Sequence, residues 1–207
     1  MTRDELSKIE DEVRKCRKCP LHQDRINAVP GEGSREPIIM LVGEAPGRNE
    51  DIQGRPFVGR AGEYLTYLIS LLGMERDDVY ITNVVKCRPP NNRDPTDTEI
   101  EKCLPYLRRQ IQILKPRIIV ALGRHAAKTL SAELGVVFKG ITRERGRIIK
   151  GRIYGLDIYL VYTYHPAAAL YNPNLKNVIE RDFKQLDKLL KDIYRGSRKS
   201  GTLDDFI

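Results

Sequence analysis

The four cysteines of this 207-residue chain have the most distinctive chemistry in its sequence. Cys16 and Cys19 form a C-x2-C pair, and Cys87 and Cys103 lie far along the chain. Because reduced compartments rarely preserve disulfides, this pattern indicates metal or redox chemistry. Four thiolates from distant segments suit tetrahedral zinc or a [4Fe–4S] cluster, and spacing does not choose between them. Four unrelated buried thiols are the alternative.

A second group of chemically notable residues lies at or near the ends of short apolar runs. The loop Gly43–Gly47 is rich in glycine, and its small residues allow backbone N–H groups to approach a ligand. Phe57 lies in a loop, where it either fills the core or stacks on a flat ligand. Asn83 lies in an apolar run, so its buried amide needs a partner; it suits a carbonyl beside a ring N–H, as at the edge of uracil. His165 precedes a proline at a strand end, a position that is more often structural than catalytic.

These residues are separated by alternating strand and helix patterns. The predicted strands are 37–42, 79–85, 116–122 and 156–162, and the predicted helices are 62–72, 97–115, 124–134 and a long C-terminal helix with apolar positions from 175 to 193. This order predicts a three-layer α/β/α sandwich around a central, mainly parallel four-stranded sheet. Because ligands gather beyond the carboxyl ends of such strands, we expect the Gly43 loop, Asn83 and His165 to share one edge.

Composition and charge limit the classes of partner. The chain has 36 Lys and Arg against 28 Asp and Glu, a net charge of +8, which indicates an anionic partner, most commonly nucleic acid, or solubility alone. No apolar run approaches the ~20 residues of a membrane span, and the charged start excludes a secretory signal. We therefore expect a soluble cytoplasmic protein. Residues 1–195 are predicted to form a single domain, and residues 196–207 a flexible tail.

The segment Lys139–Arg152, the basic segment, concentrates positive charge. It has a single acid, Glu144, against six bases: Lys139, Arg143, Arg145, Arg147, Lys150 and Arg152. Such a run is either a contact for an anionic partner or a solvated loop.

Six sequence blocks, taken together, match a family. They are CRKCPLHQDR (16–25), GEAPGRNEDIQGRPFVGRAG (43–62), ITNVVKCRPPNNRDP (81–95), EIEKCLP (99–105), IIVALG (118–123) and TYHPAAAL (163–170). In this order they resemble the iron–sulfur uracil-DNA glycosylases often called family four, from about residue 10 to residue 190. The chain departs from the pattern at Tyr171, where many relatives carry arginine, and after Arg195.

The resemblance implies an activity and a set of site residues. The protein would flip uracil out of DNA and hydrolyse its N-glycosidic bond, leaving an abasic site. His165 would contact uracil O2 as the catalytic residue; the uracil pocket would comprise Gly43, Glu44, Ala45, Phe57, Asn83 and His165, and the [4Fe–4S] ligands would be Cys16, Cys19, Cys87 and Cys103. Ala45 stands where a related family has an aspartate, so either Glu44, Glu50 or Asp51 orients the water, or stabilisation of the leaving group suffices.

Two further segments lead to expectations about partners. Leu170 or Tyr171, just after the histidine, is a candidate wedge for the gap left by the flipped base. The spacing of Leu203, Phe206 and Ile207 resembles a short motif that docks repair enzymes on a sliding clamp, although Ser200 replaces its leading glutamine. We expect a nucleoid-associated monomer. The alternatives are an iron–sulfur glycosylase for other deaminated bases, which Glu44 disfavours, a non-catalytic zinc-containing DNA-binding module, and a redox protein.

Overall fold

A computed structural model of the protein describes residues 2–199, with side chains described for residues 4–195. Its helices are α1 (Thr2–Lys15), α2 (Leu21–Asp24), α3 (Arg48–Gln53), α4 (Arg60–Ser70), α5 (Asp97–Leu114), α6 (Arg124–Leu134), α7 (Ile141–Glu144), α8 (Ala168–Tyr171) and α9 (Leu175–Lys199). Its strands are β1 (Glu32–Gly33), β2 (Ile39–Gly43), β3 (Tyr80–Asn83), β4 (Ile118–Leu122), β5 (Ile148–Ile153) and β6 (Leu156–Thr163).

The strands form one sheet in the order β1-β3-β2-β4-β6-β5. The four inner strands are parallel, as predicted, and each edge strand pairs antiparallel with its neighbour. The sheet therefore has six strands, and the prediction of four was wrong about the edges. β1 has only two residues and no periodicity to detect. β5 carries Lys150 and Arg152 on an exposed edge, so it was interpreted as part of a basic loop.

The three-layer α/β/α arrangement is confirmed by how the strands divide their side chains. Along β2, Met40 and Val42 pack with α1, α5 and α6 on one face, whereas Ile39 and Leu41 pack with α4 and α9 on the other. Both faces are covered, and this explains why β2, β3 and β4 are buried along their whole length.

Helix boundaries follow local signals. Thr96 is the N-cap of α5: its side chain accepts from the N–H of Glu99, whose carboxylate accepts from the N–H of Thr96 in return. The helix then continues through Pro105 to Leu114.

The C-terminal helix is longer than predicted, because α9 reaches Lys199, four residues into the segment expected to be a tail. The candidate clamp residues Leu203, Phe206 and Ile207 lie outside the described residues. Between residues 2 and 199, no helix is both long enough and apolar enough to cross a membrane.

Candidate active site

Three of the predicted site residues lie at or just beyond the carboxyl ends of parallel strands of the sheet. Gly43 ends β2 and pairs in register with Asn83, which ends β3. His165 follows the last residue of β6 by two positions. Beyond the strands, Val84 and Val85 donate their N–H groups to the carbonyls of Gly43 and Glu44 at 2.9 Å each, which holds the two loops together. The edge predicted from the sequence is therefore where these residues lie.

Phe57 joins this edge from the loop before α4. Its ring stacks on that of His165, with centroids 5.5 Å apart and planes inclined by 27°. Its backbone has a φ of 51°, a left-handed conformation that residues other than glycine rarely adopt. A Cβ at Gly43 would lie 2.3 Å from Asn83 Oδ1 and 2.7 Å from Phe57 Cζ. Only glycine at position 43 therefore allows the asparagine and the phenylalanine to approach this closely.

Asn83 is buried with an unpaired acceptor. Its side chain is 2% exposed, and within residues 4–195 its Oδ1 is the one buried side-chain nitrogen or oxygen without a hydrogen-bond partner. An unsatisfied buried acceptor costs about 1–3 kcal/mol, and native structures keep few of them. The arrangement fits a ligand that donates an N–H to Oδ1.

The contacts of His165 define which ring nitrogen carries its proton. The N–H of Ala167 donates to Nδ1 at 3.2 Å, so the neutral ring carries its proton on Nε2. Burial lowers the pKa of His165 to about 4, opposed by the charge of Glu50. Near pH 7 the imidazole is therefore neutral and presents an Nε2–H donor.

Lys86 holds the end of β3 through its side chain, and it was not predicted from the sequence. It is buried, and its Nζ donates to Thr82 Oγ1 at 2.5 Å and to the Asn83 carbonyl and Gln110 Oε1 at 2.7 Å each. Its backbone N–H donates to Cys103 Sγ at 3.2 Å. Lys86 thus connects Asn83 with the cysteines. The available signal in the sequence was a lysine directly after two valines, Val84 and Val85, at the end of a predicted strand.

The four cysteines, although distant in sequence, line one small cavity together with Val85 and Tyr106. All four are free thiols, and Nη1 of Arg25 donates to Cys87 Sγ at 2.9 Å. Burial raises the pKa of Cys103 to about 12 and also raises those of Cys19 and Cys87. A bound metal would compensate for that cost by stabilising the thiolates. Four converging sulfur donors with N–H donors beside them fit a [4Fe–4S] cluster, and also zinc.

The three candidate carboxylates differ in what they bind. Asp51 Oδ1 accepts the N–H groups of Ile26 and Asn27 at 2.9 and 3.1 Å, and Glu50 Oε1 accepts those of Val58 and Gly59 at the same distances. Both carboxylates therefore hold backbone. Glu44 is half-buried, burial raises its pKa, and its Oε2 lies 3.9 Å from His125 Nε2.

Glu44, Asp94 and His125 form a small cluster at this edge, with ligand atoms within 4.8 Å of one another. Arg124 Nε donates to His125 Nε2 at 3.1 Å, and another nitrogen of Arg124 contacts Asp94. The guanidinium uses the imidazole lone pair and adds positive charge, so the cluster is a poor cation site. His125 was not predicted from the sequence either, although it follows the carboxyl end of β4 by only three residues.

The sequence matches the family model of the Uracil DNA glycosylase superfamily over residues 30–193. The chain belongs to this superfamily. It is 57% identical to a type-4 uracil-DNA glycosylase of Sulfurisphaera tokodaii over 90% of this chain and 85% of that protein. It is 52% identical to one of Saccharolobus solfataricus over 99% and 92% of the two chains. A type-5 uracil-DNA glycosylase of Pyrobaculum aerophilum is 34% identical over 67% and 65%. The resemblance to family four is confirmed.

In this member of the uracil-DNA glycosylase superfamily, α8 carries the two candidate wedge residues. Tyr171 is 90% exposed, whereas Leu170 is half-buried. Of the two, Tyr171 is free to reach a second molecule.

The basic segment of this superfamily member is more ordered than a solvated loop. Most of its second half forms β5, which turns into β6 through Tyr154 and Gly155, both at positive φ. Three of its arginines are paired: Arg145 with Asp182, Arg147 with Glu144 and Arg152 with Asp157. The charge available to DNA is therefore smaller than the sequence indicated.

Proposed function

We propose that this protein is a uracil-DNA glycosylase that flips uracil out of DNA and hydrolyses the bond between uracil and deoxyribose, releasing free uracil. Membership of the superfamily and high identity to type-4 enzymes support this activity. The observation that carries it is the unpaired Oδ1 of Asn83, buried beside Phe57 and near His165 across the Phe57 ring. That acceptor matches the N3–H of uracil.

In this proposal, recognition of the base is divided between stacking and hydrogen bonding. Phe57 stacks on the uracil ring, Asn83 Oδ1 accepts from N3–H, and its amide nitrogen donates to O4. Gly43, Glu44 and Ala45 border the ring. Cytosine reverses the donor and acceptor pattern at positions 3 and 4, so the same amide would leave polar groups unpaired.

Bond cleavage, in this proposal, depends on stabilising the leaving group. As the glycosidic bond breaks, negative charge develops on uracil and positive charge on the sugar. The Nε2–H of His165 donates to uracil O2, helped by N–H groups of the Gly43–Ala45 turn, and these bonds strengthen in the transition state. Ala45 offers no base, and Asp51 and Glu50 hold backbone. Glu44 is therefore the carboxylate available to orient the attacking water.

We propose that Cys16, Cys19, Cys87 and Cys103 hold a [4Fe–4S] cluster. The cluster would supply cross-linking of the fold, with no step in the hydrolysis. Its ligands come from the segment after α1, the segment after β3 and helix α5, so it would join three parts of the chain.

We also propose how the protein meets its substrate. Uracil in duplex DNA must leave the stack, which costs a few kcal/mol, and Tyr171 or Leu170 would fill the gap. The enzyme would act as a monomer in the cytoplasm, on nucleoid DNA.

Leu203, Phe206 and Ile207 would dock on a sliding clamp. Deleting residues 200–207 should abolish co-elution with the clamp and leave uracil release from short oligonucleotides unchanged; clamp binding that survives deletion contradicts the docking.

The decisive experiment measures free uracil released from an oligonucleotide by the wild type and by His165→Ala. We expect the variant to lose at least 100-fold in turnover and less than threefold in DNA affinity, since removing one such donor costs about 10²–10³ in rate. Equal losses in both would contradict the role of His165. A hypoxanthine oligonucleotide assayed in parallel tests the alternative of a glycosylase for other deaminated bases. DNA binding without release of any base would indicate a non-catalytic DNA-binding module.

A further inference from the structure

A basic groove lies beside the cysteine site and outside the uracil pocket. It has a volume of about 1050 Å³, and its N-terminal wall carries Arg14, Lys15, Arg17, His22 and Arg25. In the described part of the chain no carboxylate lines it. Arg14 is paired with Asp11 at 3.0 Å, but Lys15 and Arg17 are exposed and form no ion pair with any described residue. The groove therefore presents uncompensated positive charge.

The far wall of the groove lies close along the chain to Phe57 of the pocket. It includes Gln53 and Gly54, and Gly54 precedes Phe57 by three residues, a distance of at most about 11 Å. Gln53 ends α3, a six-residue helix about 9 Å long that begins beside the Gly43–Gly47 loop. One strand of DNA advances 3.4 Å per nucleotide, so this wall lies within about three nucleotides of a base held in the pocket.

Both walls are fixed to the rest of the fold. Asn27, on the groove, donates its Nδ2 to the carbonyls of Asp51 and Ile52 at 2.8 and 3.0 Å, which joins it to α3. Arg25 donates to Cys87 Sγ and to the carbonyls of Arg14 and Cys16. These hydrogen bonds hold both walls of the groove in place, and the bond from Arg25 to Cys87 links its shape to the cysteine site.

We propose that this groove binds the phosphate backbone of the uracil-containing strand, within a few nucleotides on one side of the flipped nucleotide. Lys15 and Arg17 supply the charge, and the contacts position the strand without reading its sequence. This inference rests on the proposed function. Because the groove lies on one side of the pocket, it makes binding depend on which end of the strand is extended.

The test uses two single-stranded oligonucleotides, one extended only on the 5′ side of uracil and the other only on the 3′ side. The holoprotein is compared with the double variant Lys15→Gln/Arg17→Gln and with a control, Lys184→Gln/Lys188→Gln. The control removes the same charge from exposed positions of α9, on the opposite face of the sheet. Affinity is measured by fluorescence anisotropy over a range of salt concentrations, and uracil release at saturating DNA.

We expect the groove variant to lose about tenfold in affinity for one oligonucleotide and less than twofold for the other. Its salt slope on the affected strand should fall by about 1.4, since each of the two lost phosphate contacts in a single strand contributes about 0.7. Release at saturation should stay within twofold of wild type. Gln53→Lys, which adds a charge on the exposed far wall, should tighten binding of the same oligonucleotide.

Equal losses on both oligonucleotides, or equal losses in the control, would contradict phosphate binding in the groove and indicate an effect of net charge alone. So would an unchanged affinity in the groove variant, or Gln53→Lys without effect. If the wild type releases no uracil from either substrate, the proposed function fails. The dependence of affinity on the extended end is then still measured, so the two failures are distinguishable.

Discussion

Asn83 is the residue with the clearest chemical requirement, because its amide oxygen is buried without a partner. We expect Asn83→Asp to release cytosine measurably and to lose at least tenfold in uracil release. A carboxylate can accept from the N4–H₂ of cytosine, where the amide nitrogen would meet it donor to donor. Free bases released from matched uracil and cytosine oligonucleotides provide the measurement, with the exposed Asn177→Asp as control. Loss of uracil release without any gain on cytosine would show that Asn83 does not read positions 3 and 4.

His165 gives a prediction about pH. Burial lowers its pKa to about 4, so the ring stays neutral from pH 8 to about 5, and protonation below that would also disrupt the contact between Nδ1 and the Ala167 N–H. The ratio of uracil release by wild type to that by His165→Gln should therefore be constant above about pH 5 and change near pH 4. Glu44 also titrates in acid but is present in both proteins, so the ratio isolates His165. A change in the ratio near pH 6.5 would mean that the imidazole is solvated.

Individual residues differ in how far the sequence could predict them. Asn83 and His165 were found because each is out of place in its local pattern: an amide in an apolar strand, and a histidine before a proline at a strand end. Lys86, Arg25 and His125 were missed because their meaning depends on atoms far along the chain, such as Gln110 Oε1, Cys87 Sγ and the Glu44 carboxylate. The neutral tautomer of His165 could not be predicted either, since it depends on the fold of one turn.

At the scale of elements, the inner strands were predictable and the edges were not. Strands buried on both faces are continuous apolar runs, and their parallel order placed Gly43, Asn83 and His165 at one edge. β5 alternates exposed and half-buried residues, with Lys150 and Arg152 facing solvent, so its sequence is that of a basic loop. Its pairing with β6 depends on the tight turn at Tyr154 and Gly155, which only the backbone reveals.

The short helix α8 gives a prediction at this scale. It places Tyr171 in solvent three positions after its first residue, close along the chain to His165. Tyr171→Ala should lower uracil release from duplex DNA about tenfold and from single strands less than twofold, because only the duplex has a gap to fill. Tyr194→Ala, an exposed tyrosine on α9, is the matched control, and Leu170→Ala tests the half-buried alternative. Equal losses on the two substrates would remove the wedge from the mechanism.

At the scale of the whole molecule, the cysteine site and the base pocket share supports. Lys86 binds the Asn83 carbonyl through its side chain and Cys103 through its backbone, and Arg25 ties Cys87 to the segment after α1. Neither the pocket nor the basic groove is therefore independent of the cysteines. This coupling could not be predicted from the sequence, because it runs through buried side chains whose partners lie in three separate segments.

Metal removal should consequently destabilise the whole protein. Purified protein should be brown with about four iron and four sulfide per chain, and we expect removal of the cluster by oxidation and chelation to lower the thermal unfolding midpoint by about 10 °C or more. Binding free energy at such a site is folding free energy, and each kcal/mol shifts the midpoint of a chain of this size by about 2–4 °C.

Cys103→Ser should lower the midpoint similarly, because Cys103 is buried against Lys86. The same chelation of Cys103→Ser is the control and should add little. Colourless protein with one zinc would contradict the cluster, and an unchanged midpoint after metal removal would contradict its role as a cross-link.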